Sequence, residues 1–278
     1  MLNLTGKIDT DTVKILEVVS KVTSELDVPY LLVGATARDL VMHYGYDAPI
    51  QRATTDRDFG IQVESWEAFK NLKKKLTENN FRETDSPQRM INSSGIKVDF
   101  VPFGTIENEN FEIQWPPDGD VVMNVLGFEE AHKYAMQVII QQEPNIQVPV
   151  ATPQGLALLK LIAWDDRDKN KRPKDAKDLA YLMGEYQIVH SIINRAYEME
   201  GLMDLYNWEI NQATAHILGF DASEIAFQRT RSQIRSILNI NFEPGNRNYL
   251  AEEMCVRIED HYDNKLKLLE AFSNGFGK

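Results

Sequence analysis

Thr54-Thr55-Asp56-Arg57-Asp58-Phe59-Gly60-Ile61-Gln62-Val63 is the stretch that decides how this chain is read. Phe59, Ile61 and Val63 alternate with small or polar residues, which predicts a strand over 56–63. In a strand, residues two apart share a face, so Asp56 and Asp58 project together and Arg57 opposes them. Two carboxylates held this close repel each other unless a cation joins them. Mg²⁺ takes oxygen ligands, typically one or two carboxylates plus substrate phosphates, and suits the pair. The competing reading is a strand end whose acids face water.

Further along, Asp99 lies in Ile96-Lys97-Val98-Asp99-Phe100-Val101-Pro102. An acid inside an apolar strand is costly to bury unless it is paired or bound to metal. Residues 89–93 and 96–102 predict a hairpin turning near Ser94-Gly95. If the second arm neighbours the 56–63 strand, three carboxylates converge, as two-metal phosphoryl chemistry requires. An edge-strand aspartate facing solvent is the alternative.

Before the acidic strand, residues 9–27 predict a helix, capped among Asp9, Thr10 and Asp11 and stopped by Pro29. Tyr30-Leu31-Leu32-Val33 reads as a buried strand between Pro29 and Gly34. Val33-Gly34-Ala35-Thr36-Ala37-Arg38-Asp39 then leads from strand into helix. Gly34 permits a ligand to approach the backbone, a helix N-terminus offers N–H groups to phosphate, and Thr36 adds a hydroxyl. Residues 45–55 read as a loop.

Residues 65–79 predict a helix capped by Ser65, with Lys73-Lys74-Lys75 on its exposed side. Short β pieces and loops are expected over 105–142, and 144–152 reads as a connection. Beyond it the pattern is helical over 153–164, 175–186, 188–200, 202–218, 222–238 and 249–272. The expected fold is α/β (α+β): an α/β domain over 1–148, then a mainly helical domain over 149–278. Lys160, on a largely apolar helix, wants an anionic partner, either a triphosphate or a neighbouring carboxylate. Arg167, Lys169, Lys171, Arg172, Lys174 and Lys177 make a basic segment, read either as a solvated face or as a phosphate or RNA contact.

The 278 residues allow one large or two modest domains, with 43% hydrophobic and 26% charged content, ordinary for a globular protein. No apolar run is long enough to span a bilayer, and the N-terminus lacks the pattern of a signal peptide. Cys255 alone rules out an internal disulfide, and a cytoplasmic setting is expected. A net charge of −12 disfavours broad nucleic-acid binding but suits a site that recruits cations before a polyphosphate. The scattered histidines show no metal spacing.

Gly34-Ala35-Thr36-Ala37-Arg38-Asp39, Thr55-Asp56-Arg57-Asp58-Phe59 and Val98-Asp99-Phe100 together resemble the DNA polymerase β-like nucleotidyltransferase superfamily. Leu159-Lys160-Leu161-Ile162-Ala163, followed by Arg167, Lys174-Asp175 and Asp178-Leu179, is similar to the AbiEii-type nucleotidyltransferases, toxins of type IV toxin–antitoxin systems. The resemblance covers about residues 33 to 180. It implies that residues 1–148 are a polymerase β-like catalytic core with a mixed sheet, in which Asp56, Asp58 and Asp99 hold metal, two Mg²⁺ ions in all, with Asp99 taking the proton of the attacking hydroxyl. It gives Lys160 to the triphosphate of a bound NTP and a catalytic role to Asp175, leaving Asp178 structural. Gly34, Ala35, Thr36 and Arg38 become nucleotide contacts. The family's usual Gly-Ser or Gly-Gly is here Gly34-Ala35, so the hydroxyl contact falls to Thr36. The long spacing to Asp56 implies an inserted loop over 43–53, from which Arg52 reaches phosphate. The implied partners are NTP, an RNA acceptor such as tRNA, and a cognate antitoxin protein, with no membrane. A small-molecule acceptor, as in antibiotic-modifying enzymes, and a nucleotide-binding module without catalysis are the alternatives.

Overall fold

The computed structural model describes residues 1–51, 55–116, 119–243, 245–255 and 261–277. Contacts divide the chain into two compact units, 1–45 with 49–152, and 46–48 with 153–278.

The first unit opens with β1 (Leu2–Asn3), α1 (Thr10–Glu25) and β2 (Tyr30–Val33). Asp9 caps α1, its side chain accepting from the Thr12 N–H at 2.8 Å. The chain then coils through α2 (Gly34–Arg38), a π-helical turn (Asp39–His43) and α3 (Tyr44–Tyr46). Next come β3 (Asp56–Gln62), α4 (Trp66–Glu78), β4 (Arg82–Glu83), β5 (Arg89–Ile91) and β6 (Lys97–Phe103). β7 (Glu112–Gln114) and β8 (Val122–Asn124) form a small separate ribbon before α5 (Phe128–Lys133), β9 (Met136–Gln141) and β10 (Ile146–Val150).

Eight strands make one mixed sheet, in the order β1-β9-β10-β2-β3-β6-β5-β4. Parallel β3–β6 pairing sits at its centre, flanked by antiparallel β2–β3 and β5–β6 pairs. The expected mixed sheet and the hairpin near Ser94-Gly95 are therefore present. Two readings are corrected. Residues 144–152 are no mere connection: Ile146, Val148 and Val150 alternate as buried residues of β10, between β9 and β2. Pro149 disguised the strand because it cannot donate to a ladder. Lys73 is buried rather than displayed, its Nζ held by Glu83 Oε2 at 2.6 Å and the Pro87 carbonyl at 3.0 Å.

The sheet's two faces differ. Phe59 on β3 stacks on Phe100 of β6 at 5.5 Å, with Tyr30 and Phe81 beside them. That face is an apolar core. The opposite face carries Gly60 and Phe103, covered by Phe128 of α5: a methyl on Gly60 would stand 2.8 Å from the Phe128 ring. The acids of β3 and β6 lie on this second face.

The second unit is helical: α6 (Pro153–Asp166), α7 (Pro173–Glu185), α8 (His190–Glu198), α9 (Leu202–Leu205), α10 (Ile210–Ile225), α11 (Gln228–Phe242), α12 (Tyr249–Glu253) and α13 (Tyr262–Phe276). A mainly helical C-terminal part was expected and is found. α10 and α13 cross at two glycines. A methyl on Gly219 would meet the Phe272 carbonyl oxygen at 2.0 Å, and one on Gly275 the His216 carbonyl oxygen at 1.9 Å. Arg172 anchors α12 by gripping Glu253 while its guanidinium lies 4.6 Å from the Trp164 ring. Among the described residues, no helix is long and apolar enough to cross a membrane.

Candidate active site

The acidic strand pairs with its neighbour in the register that matters: Asp58 stands beside Asp99 across the parallel β3–β6 pair, with Asp56 beside Lys97. Parity puts Asp56, Asp58 and Asp99 on one face of the sheet. Arg57 goes to the other face, where Nε and Nη2 donate to Thr12 Oγ1 at 3.0 and 2.7 Å and tie β3 to α1.

Gly34 abuts this face. Its φ is +70°, a left-handed conformation that favours glycine, and an added methyl would lie 2.2 Å from Asp58 Oδ2. The absence of a side chain at this residue leaves room for the Asp58 carboxylate. Thr36 is buried, and its hydroxyl donates to the Asp56 carbonyl at 3.2 Å, bracing the strand from below. Ala35 is buried beside it. Arg38, only 2% exposed, is committed within the protein. Its Nε and Nη2 donate to Asp39 at 2.9 and 2.8 Å, and its Nη1 to Gln51 at 2.8 Å. Arg52 lies outside the described residues.

One residue at the site escaped the sequence reading. Arg89 of β5 is the cross-strand partner of Asp99. Its Nε and Nη2 each donate to a separate Asp99 oxygen at 2.7 Å, and Nη2 lies 3.6 Å from Asp56 Oδ2. The hydrogen bonds it donates to Asp99 raise the guanidinium pKa well above its usual range, and the charges of Asp99, Asp56 and Asp58 add to this. The expected hairpin did not reveal it: a turn centred between Ser94 and Gly95 pairs 89 with 100, and only the observed register sets Arg89 against Asp99.

The donor set, three carboxylates on adjoining strands, is of the hard oxygen type that Mg²⁺ selects. Among the described residues, no three acid, histidine or cysteine side chains are grouped so that they could hold a metal ion, so Asp56, Asp58 and Asp99 share a face without forming a ready three-acid site. Asp99 already faces Arg89.

The remaining candidates belong to the second unit and form a cluster of their own. Lys160 Nζ donates to Asp175 Oδ1 at 2.9 Å and lies 2.8 Å from Asp178 Oδ2. Arg167 Nη1 reaches Asp175 Oδ2 at 2.5 Å. Burial works against the ammonium, yet the charges of Asp178 and Asp175 hold its pKa above the ordinary value. Asp178, read as structural, shares Lys160 equally with Asp175. Of the basic segment, Arg167 and Arg172 are spent on internal ion pairs, while Lys169, Lys171 and Lys174 are exposed.

The family model described as nucleotidyl transferase AbiEii toxin, type IV TA system, matches residues 18–236. The chain belongs to the AbiEii family. This member is accordingly a nucleotidyltransferase, as the motifs implied. No curated protein matches the sequence. Among solved structures, the antibiotic-resistance factor ANT(2'')-Ia overlaps with a TM-score of 0.36 at 12% identity, covering 69% of this chain and 97% of its own. The Thermotoga maritima CCA-adding enzyme complexed with tRNA gives 0.28 at 12%, covering 96% and 83%. A CCA-adding enzyme with CTP gives 0.29 at 12%, covering 96% and 80%. Overlaps this loose carry nothing further about the AbiEii member.

Proposed function

We propose that this AbiEii-family enzyme transfers a nucleoside monophosphate from an NTP to an acceptor hydroxyl in a Mg²⁺-dependent reaction, with residues 1–148 as the catalytic domain and 149–278 as a helical one. Asp56 and Asp58 are its cation ligands and Asp99 its third acid. The observation that carries this reading is the register of β3 and β6, which sets Asp58 beside Asp99 on the face that Gly34 keeps open.

When bound, the divalent ions, two in this reading, neutralise phosphate charge and act as Lewis acids. The chain's own residues do the rest. Asp56 and Asp58 project from one rigid strand, so their spacing is set by the backbone and not by loop motion. The acceptor hydroxyl forms a bond to the α-phosphorus, and the bond from that phosphorus to the bridging oxygen breaks. Pyrophosphate leaves, and Asp99 takes the hydroxyl proton. Gly34, Ala35, Thr36, Arg38 and Arg52 shape the nucleotide side. Thr36 and Arg38 act chiefly by holding the backbone there. The family motif gives Lys160 to the triphosphate and a catalytic role to Asp175, but Lys160 is already held by Asp175 and Asp178, so the pair acts here by fixing α6 against α7.

The acceptor we propose is RNA, in the first instance a tRNA end, and the enzyme the toxin of a cytoplasmic toxin–antitoxin pair with an antitoxin protein as partner. The toxin family and the exposed Lys169, Lys171 and Lys174 support this. The test is incorporation of α-labelled NTP into bulk RNA with Mg²⁺. Wild type should label RNA and Asp58→Ala should not. If neither incorporates any of the four NTPs, the proposal falls. Label in a small soluble product would move the acceptor to a small molecule. Expression of wild type should arrest growth while Asp58→Ala should not; harmless wild type would remove the toxin role.

A further inference from the structure

We propose that Arg89 is a positioning residue that competes with a divalent cation for the Asp99 carboxylate, withholding the third acid until cation charge replaces the guanidinium. The inference rests on the reading of Asp56 and Asp58 as cation ligands.

Arg89 does not merely neighbour the acids. Its planar fork spans both oxygens of Asp99 at 2.7 Å, and one prong lies 3.6 Å from Asp56. A bidentate fork of this kind takes up the carboxylate edge that another cation would use. Within these four side chains, three carboxylates face one arginine.

A cross-strand pair that only stabilised its hairpin would be as well placed anywhere along β5 and β6. This one falls on the residue in register with Asp58. It is also within reach of ions, since the Arg89 side chain is 28% exposed and that of Asp99 15%. A pair so accessible can be exchanged without first unfolding the hairpin. Among the described residues no three acids are grouped so that they could hold a metal ion, and Arg89 stands on the Asp99 carboxylate in that arrangement. The ion-free protein is thus spared an uncompensated Asp99, and the complete acid set assembles only when cations arrive with the triphosphate.

The test uses the full chain and Mn²⁺ as probe, without nucleotide, read by calorimetry or by the spin resonance of free Mn²⁺. Arg89→Gln should bind Mn²⁺ roughly tenfold or more tightly than wild type, the scale expected when a unit charge is removed a few ångström from a cation. Its melting temperature should be lower without the ion and rise further with it. Arg89→Lys, which keeps the charge but loses the fork, should fall between the two; it also serves if the glutamine variant does not fold. Adding Asp99→Asn to Arg89→Gln should abolish the gain. Unchanged or weaker binding by both Arg89 variants, with Asp58→Asn abolishing binding, overturns the role of Arg89 and leaves the site reading standing. A gain that survives Asp99→Asn also overturns it. Mn²⁺ binding that ignores Asp58→Asn, or no binding by any variant, overturns the site reading and this proposal with it.

Discussion

The two ion clusters of this chain use the same ingredients to opposite ends. On α6 and α7, Lys160 and Arg167 face Asp175 and Asp178, two charges against two, with Asp175 fully buried and Asp178 2% exposed. On β3, β5 and β6, Arg89 faces Asp56, Asp58 and Asp99, with Asp56 31% exposed. A buried, balanced cluster is committed to its own helices, and removing one member strands charge in a low dielectric. In the half-exposed cluster the Arg89–Asp99 pair is within reach of solvent and of ions. Charge balance and burial, more than residue type, separate the two.

The largest expected effect breaks the buried cluster. Lys160→Met leaves Asp175 and Asp178 to repel each other, and should cost about 3–5 kcal/mol of stability by urea unfolding. A loss below about 1 kcal/mol, the ordinary range for surface changes, would mean the cluster is not the internal clamp described. Next comes the open cluster. Asp58→Ala should lower nucleotidyl transfer by roughly 10²–10³ or more, yet leave unfolding within about 1 kcal/mol of wild type. A variant that loses stability in step with activity would erase the contrast.

Gly34→Ala sharpens the comparison. It should cost about 1–3 kcal/mol for backbone strain and lower activity as well, because the methyl meets Asp58 Oδ2 at 2.2 Å. Gly6→Ala is the control: its φ is +76° and nothing lies within 4 Å of the added atom. If both variants behave alike, the close approach at Asp58 has no functional weight. The smallest effect concerns pH in the second unit. Burial lowers the His216 pKa, and Nδ1 lies 2.8 Å from the Tyr206 hydroxyl. The unfolded chain then binds this proton more readily than the fold. The imidazole's contribution is present above its unfolded pKa of about 6.5 and fades as pH falls through the lowered folded value. The melting temperature should decline from neutral toward acid pH, and His216→Gln should flatten the slope. An identical slope would leave that decline to other groups.

Much of the fold was legible because local rules and global packing agree. Asp9 and Ser65 cap the helices they precede. Val98 and Phe100 alternate with Asp99 in the pattern of a half-covered strand. β10 was missed because Pro149 argues against a strand on local grounds, while pairing with β9 and β2 overrides it. Lys73 was taken for a surface lysine because nothing near it in sequence reveals that Glu83 and Pro87 fold over it.

The amino-acid order alone determined that Asp56 and Asp58 share a face, that Arg57 opposes them, and that residues 89–93 and 96–102 form a hairpin turning near Ser94-Gly95. These follow from a strand's period of two and a hairpin's turn, which are local. Only the tertiary structure decided that β6 lies parallel to β3 with Asp99 beside Asp58, and that Lys160 already has two carboxylate partners. Both depend on contacts between segments far apart in the chain, where burial and charge pairing select among partners that local preference leaves equal.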